Sequence, residues 1–302
     1  MPERSDVLVV GSINMDLILE VAAPPAPGET VLARRAELLP GGKGANQAVA
    51  ARRLGLEVRM AGLVGDDAVG AALRRGLERE GVLTDTVEAV EGMSGMAAIS
   101  LTPDGENAIT VAQGANHELS AERVLALPDG VFLSKVLLLQ LEVPRSAALA
   151  AARRARAAGA RVLLNPSPPQ RDLGELLALA HWVVPNRIEA EILTGSADPR
   201  EAGRRLLAQG PEVVCITLGA EGALVLTRQE ERQVGAPRVT PVDTTGAGDA
   251  FLGALAYAVC QGRDPFAAAA FAASAGAAAT QRRGAQTALP TLSDLELLGQ
   301  PS

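Results

Sequence analysis

The run Asp243-Thr244-Thr245-Gly246-Ala247-Gly248-Asp249 holds the residues of this chain best suited to chemistry by type and spacing. Two glycines and an alanine leave the backbone bare between two carboxylates. Several N–H groups can then point into one space at a helix N-terminus, where an anion is stabilised. A carboxylate beside such a loop repels the anion unless it has separate work. Asp249 can take a proton from a hydroxyl while the loop holds the charge that builds on a transferring phosphoryl group. The plainer alternative makes Asp249 a helix N-cap and the glycines a turn. That alternative leaves unexplained why an acid stands at both ends of the run.

A second glycine-rich stretch, Gly41-Gly42-Lys43-Gly44-Ala45-Asn46-Gln47, opens an apolar helical run that ends at Leu54. Its glycines let backbone approach a ligand, and Lys43 and Asn46 supply donors. Lys43 is one of only two lysines, the other being Lys135. The stretch is not a Walker-type phosphate loop, since the first glycine is missing and Gly44 follows the lysine. Nor does Gly11-Ser12-Ile13-Asn14 after the first strand match a dinucleotide fingerprint, which argues against a dehydrogenase. Asn14 and Asp16 alternate onto one side of an extended segment. They can bind polyol hydroxyls, or they can form a solvated face. Glu142 follows an apolar run and is open to the same two readings. Asn186 and Glu189, three apart at a helix start, fit a capping box or, for Glu189, a Mg²⁺ partner acting through waters near phosphates. His117 and His181 are isolated, and no Ser-His-Asp or Cys-His arrangement can be assigned.

The elements that must position these groups alternate strand and helix. Strands are expected at Asp6–Gly11, 58–64, 136–139, 161–164, 182–184 and 213–217. Helices are expected at about 66–80, 147–158, 189–193 and 250–259, and a β-type run at 238–242 leads into the Asp243 loop. This order predicts an α/β fold with a mostly parallel central sheet and helices on both faces. The candidates Asn14, Asp16, Glu142, Asn165, Asn186, Glu189, Thr217 and Gly219 all fall at carboxyl ends of strands, where such sheets bind ligands. Segments at 14–21, 31–38, 96–101 and 108–111, the last two flanking a turn at 103–106, predict a small sheet standing off the main one. The whole chain, 1–302, reads as a single domain with this lid, from about 14–40 and 95–112, inserted in it.

Composition narrows the partners. A net charge of -7 argues against nucleic acid or an anionic membrane as the main partner. With 48% hydrophobic but only 2% aromatic residues, the core must be built from Ala, Leu and Val. Cys215 and Cys260 lie in apolar runs and read as small buried hydrophobes, not as a disulfide or zinc site. The start of the chain is unlike a signal peptide, and the longest apolar stretch, 267–279, is too short to span a bilayer. A soluble, cytoplasmic protein is expected.

The two glycine-rich stretches, extended to Ala48 and to Ala250-Phe251, resemble the two signatures of the ribokinase-type (PfkB) carbohydrate kinase family. The resemblance also runs through Gly11-Ser12-Ile13-Asn14-Met15-Asp16, Gln140-Leu141-Glu142, Asn165-Pro166, Pro185-Asn186-Arg187-Ile188-Glu189, Thr217-Leu218-Gly219 and Gly284-Ala285-Gln286. It implies ATP-dependent phosphorylation of a small sugar, D-ribose at its 5-hydroxyl, under a β lid. Asn14, Asp16, Gly42, Lys43, Asn46 and Glu142 would then bind sugar hydroxyls. Asp249 would be the base, and the N–H groups of Gly246, Ala247, Gly248 and Asp249 the anion hole. Asn186, Thr217, Gly219 and Gly248 would serve ATP, and Glu189 the Mg²⁺ shell. A monovalent cation, K⁺, would sit at Asp243, Thr245, Ala279, Arg282 and Gly284; at the last ligand position, near Ala288, there is no side-chain oxygen. Exchange of lids would give a homodimer. Deoxyribose, fructose or a nucleoside such as adenosine are alternative substrates, and a non-catalytic sugar-binding regulator is an alternative of another class.

Overall fold

The computed structural model describes residues 5–102 and 107–298. The turn expected at 103–106 and the residues ahead of Ser5 lie outside the described residues. Short apolar runs make the central strands. These are β1 (Val7–Val10), with β2 (Asn14–Glu20) and β3 (Arg35–Gly41) after it, then β4 (Val58–Gly65), β5 (Leu83–Val90), β6 (Gly95–Leu101) and β7 (Asn107–Ala112). The second half supplies β8 (Val136–Leu139), β9 (Arg161–Leu164), β10 (Trp182–Val183), β11 (Val213–Thr217), β12 (Ala223–Thr227) and β13 (Glu231–Val234). The helices in chain order are α1 (Lys43–Arg53), α2 (Ala68–Arg79), α3 (Ala121–Ala126), α4 (Arg145–Ala157) and α5 (Gly174–Leu179). They continue with α6 (Arg187–Thr194), α7 (Pro199–Leu207), α8 (Ala247–Cys260), α9 (Pro265–Ala279) and α10 (Leu292–Leu298).

Among the described residues, one nine-stranded sheet runs β13-β12-β11-β10-β9-β8-β1-β4-β5. Pairing is parallel from β11 to β5, and an antiparallel β12–β13 hairpin closes one edge. A strand buried on both faces needs cover on both, and β1 shows it. Val7 and Val9 join a core with α1, α8 and α9, while Leu8 and Val10 join a second core with α4 and α7. With so few aromatics, alanines fill the helical layers and let helices approach closely. At Gly253 on α8 a Cβ would lie 2.4 Å from Ala50 Cβ on α1, so this glycine permits the contact that brings both helix N-termini to one place.

A separate four-stranded sheet, ordered β3-β2-β6-β7, stands off the main one. It is mixed: β2 runs parallel to β6 and antiparallel to β3. Asn14 and Asp16 are buried on one side of β2. Leu38, Ile109 and Val111 are exposed on this sheet. Strand β3 begins at Arg35, later than expected, and runs into the Gly41-Gly42 pair.

Several expectations are corrected. Residues 238–242 form no strand; Pro237 precedes the run, Pro241 lies within it, and neither can donate to a ladder. Instead, Val242 N–H and Asp243 N–H both donate to Thr280 O, at 2.7 and 3.1 Å. Helix α8 starts at Ala247, three residues earlier than the apolar pattern, so Gly248 and Asp249 are inside its first turn. Cys215 is fully buried, but Cys260 only partly so. The isolated His181 has a structural role: its Nδ1 accepts Val162 N–H at 2.9 Å. Strands β5 and β13 were not foreseen, because their acidic and polar residues face solvent at sheet edges; the buried apolar run of β12 was passed over as well. Among the described residues no helix is long and apolar enough to cross a membrane.

Candidate active site

Gly246 is the N-cap of α8 with φ +77°, a left-handed conformation that a side chain disfavours. A Cβ there would also stand 3.0 Å from Ala285 Cα. The turn aims the first amides of α8 outward. Those of Gly248 and Asp249 belong to a first turn and have no helical carbonyl to bond. Ala247 N–H is already held by Thr244 O at 3.2 Å, so the expected donor set is smaller by one in this conformation.

Asp249 is buried, and both its oxygens accept amide N–H bonds from α1. Asn46 Nδ2 lies 2.9 Å from Oδ2, and Gln47 Nε2 lies 3.0 Å from Oδ1. Burial pushes the Asp249 carboxyl above its usual range, against the pull of Lys43 and the two amides. Burial also acts to lower the Lys43 pKa, but the carboxylates of Asp249, Glu142 and Glu189 outweigh it and the ammonium is held above its ordinary value. Asp16 is pushed up to about 7, first by burial and then by Glu142 and Asp249. Four sequence candidates, Asp16, Lys43, Glu142 and Asp249, therefore share one electrostatic field.

The surrounding contacts fix them. Glu142 Oε2 accepts Ser12 Oγ–H and, at 3.1 Å, Lys43 N–H. Asn14 Oδ1 accepts Asn116 Nδ2–H at 2.7 Å, and Ile13 N–H donates to Asn116 Oδ1 at 2.9 Å. At Gly41 a Cβ would fall 2.1 Å from Asp16 Oδ2, so the glycine makes room for that carboxylate. Sequence reasoning missed Ser12, Gln47 and Asn116. Ser12 and Gln47 sit inside quoted motifs. Asn116 is one buried polar residue in a 3₁₀ turn, with no local signal of its partners.

The nucleotide candidates gather separately. Asn186 and Thr217 form an isolated parallel bridge, and Gly219 follows at φ +62°. Asn186 Oδ1 accepts Glu189 N–H, and Glu189 Oε2 accepts Asn186 N–H, both at 2.8 Å, so the capping box is present. Glu189 is nonetheless close enough to act on Lys43.

The cation candidates are joined through Asp243. Its Oδ1 accepts Thr245 N–H at 2.9 Å and its Oδ2 accepts Gly284 N–H at 2.8 Å. Burial acts to raise its pKa, but these bonds and Arg283 win, and it is held below the usual range. The Arg282 guanidinium pairs with Asp294 at 2.6 Å, leaving its main chain to the loop. Ala279 ends α9 beside this loop, and Ala288 is buried. A cleft of about 430 Å³ opens between this loop, at Asp243 and Thr244, and the small sheet, at Glu20 and Thr102.

Comparison with known proteins shows the family. Residues 4–292 match the family described as pfkB family carbohydrate kinase. The chain is 38% identical over 294 residues to a ribokinase of Haemophilus influenzae, covering 95% of this chain and 96% of that protein. It is likewise 38% identical over 294 residues to a deoxyribokinase of Salmonella typhi, with the same coverage of 95% and 96%. A ribokinase of Arabidopsis thaliana solved with ribose and ATP superposes with a TM-score of 0.88 at 30% identity, covering 99% of this chain and 100% of that one.

Proposed function

This chain belongs to the pfkB family of carbohydrate kinases, and we propose that it transfers the γ-phosphoryl group of ATP to the 5-hydroxyl of D-ribose. The observation that carries this reading is the setting of Asp249: a buried, acceptor-only carboxylate in the first turn of α8, directly after the Gly246 turn. The similarity to ribokinases, one of them solved with ribose and ATP, supports the substrates.

The sugar lies among Asn14, Asp16, Gly42, Lys43, Asn46 and Glu142. Asn46 Oδ1 is buried with no hydrogen-bond partner among the described residues, as suits an acceptor for a sugar hydroxyl. The 5-hydroxyl loses its proton to Asp249 as its oxygen attacks the γ-phosphorus, and the bond from that phosphorus to the β–γ bridging oxygen breaks to release ADP. The amides of Gly246, Gly248 and Asp249 then meet the charge on the transferring group. Asn186, Thr217 and Gly219 hold the nucleotide.

No cluster of three acids, histidines or cysteines able to hold a metal occurs among the described residues. Mg²⁺ would be held by the nucleotide phosphates, with Glu189 acting on its shell, and would neutralise phosphate charge. The loop tied by Asp243 and Gly284 fits K⁺ through carboxylate and main-chain oxygens, Thr245, Ala279 and Arg282 adding to the set. A homodimer closed through the lid, of a single-domain, cytoplasmic enzyme, completes the proposal.

Deoxyribose is the second reading, favoured by the equal similarity to a deoxyribokinase. Initial rates with ribose and 2-deoxyribose separate the two. Higher kcat/KM for ribose supports the first reading, and higher kcat/KM for deoxyribose replaces it.

A further inference from the structure

Gln47, Gln140 and Asn165 lie within the motifs, yet no sugar, nucleotide or metal role uses them. The structure joins them to the base. Gln140 Nε2 donates to Gln47 Oε1 at 2.6 Å, and Gln47 Nε2 donates to Asp249 Oδ1 at 3.0 Å. Gln47 Nε2 also faces Asn165 Oδ1 at 3.4 Å, and Asn165 Nδ2 donates to Val184 O at 2.9 Å. The four residues come from α1, the ends of β8 and β9, and α8, and all are buried.

The direction of these bonds is not free. A backbone carbonyl can only accept, so Val184 O fixes Nδ2 of Asn165 toward itself and Oδ1 toward Gln47. Gln47 must then turn its NH₂ toward Asn165 and Asp249 and its oxygen toward Gln140. Gln140 must in turn present NH₂ to Gln47, which leaves its own oxygen buried beside Gly11 with no hydrogen-bond partner among the described residues. Turning any one amide over would set oxygen against oxygen or bury an NH₂ against a backbone carbon. The chain therefore reads in one sense only, from Val184 to Asp249.

We infer that Gln47 is a positioning residue for the reaction. It holds Asp249 Oδ1 as an acceptor and fixes the plane of the carboxylate, while Asn165 and Gln140 stop its amide from turning. This rests on Asp249 being the base. Gln47 is wholly buried, so it acts through Asp249 and not on the sugar. The charged groups facing Asp249 from other elements are Lys43 at the start of α1, Glu142 after β8 and Asp16 on β2. Gln47 is a neutral donor added to that field. Its loss removes one hydrogen bond to a charged group, an effect of roughly ten- to a hundredfold.

The test is Gln47→Met in the full-length protein, read in two ways. The pH profile of kcat should show its acid limb moved up by about one unit, with kcat at pH 7 down about tenfold and sugar KM little changed. Infrared difference spectra over a pH series, with the band assigned by its loss in Asp249→Asn, should show Asp249 protonated at higher pH than in the wild type. Gln140→Met keeps the donor on Asp249 but frees Gln47 to turn; it should move both readouts the same way by less, and it carries the test if Gln47→Met does not fold. A wild-type acid limb and carboxyl titration in either folded variant overturns the assignment, as does a raised KM with kcat intact. Failure of the kinase reading is distinct: the wild type would then phosphorylate no sugar, while the infrared shift in Gln47→Met would persist.

Discussion

Asn46 Nδ2 donates to Asp249 Oδ2 at 2.9 Å, although 203 positions separate them in the chain. The same side chain keeps its oxygen without a partner among the described residues. One amide thus steadies the base and leaves an acceptor for a hydroxyl beside it. The pair exists because α1 and α8 pack with their N-termini together, and the near-absence of side chain at Gly253 permits that packing.

Replacing Asp249 by Asn keeps the shape and removes the proton acceptor. We expect kcat to fall by about 10²-fold or more with sugar affinity nearly unchanged. Steady-state kinetics and sugar binding by calorimetry check this, and near-normal turnover contradicts it.

Gly253→Val lies one helical turn from Asp249 and puts a side chain where Ala50 Cβ and Ala51 N already stand, at 2.4 and 2.7 Å. We expect a loss of about 1–3 kcal/mol of stability and a lower kcat, since α1 must move and carry Asn46 and Gln47 with it. Thermal unfolding and turnover measured together check it. Unchanged kcat in a destabilised protein would separate the packing from the geometry of the base.

Asp16 gives a pH prediction. Its folded pKa of about 7 stands above its unfolded value of 3.8, so the folded state binds the extra proton. Stability from this group is therefore present below pH 3.8 and is lost as pH rises toward 7. Asp16→Asn removes a buried charge that faces Glu142 and Asp249. We expect a higher Tm at pH 8, roughly 2–4 °C for each kcal/mol recovered, together with a higher KM for the sugar. A fall in Tm contradicts the electrostatic account.

Asp243→Ala removes the acceptor of both Thr245 N–H and Gly284 N–H. We expect a lower Tm and loss of any stimulation by K⁺ over Na⁺. Its pKa is held low in the folded state, so wild-type stability from Asp243 is present above its unfolded value of 3.8 and lost as pH falls below it. Titrating Tm against pH in both proteins tests the sign: the difference between them should shrink in acid.

Much of this was legible in the chain because the signals are local. The runs Val7–Val10 and Val136–Leu139 announce strands buried on both faces, and the two glycine-rich loops announce backbone left open to a ligand. The run 238–242 misled because its β-branched residues speak for a strand while Pro237 and Pro241 forbid a ladder. Helix α8 began early because its first turn, Ala247–Asp249, carries no apolar periodicity. The contacts of Asn116 with Ile13 and Asn14, and of Gln47 with Asp249 and Gln140, were not legible. Each joins residues about a hundred or more positions apart, and nothing in the local sequence says which way a buried amide turns.

The measurement that tests the central claim most directly is ATP-dependent turnover of ribose, 2-deoxyribose, fructose and adenosine with Mg²⁺, the site of phosphorylation read by NMR. The account predicts ribose as the best substrate, phosphate on its 5-oxygen, and loss of that product in Asp249→Asn. Binding of ribose without phosphorylation of any of the four would contradict it and leave a sugar-binding protein on a kinase fold.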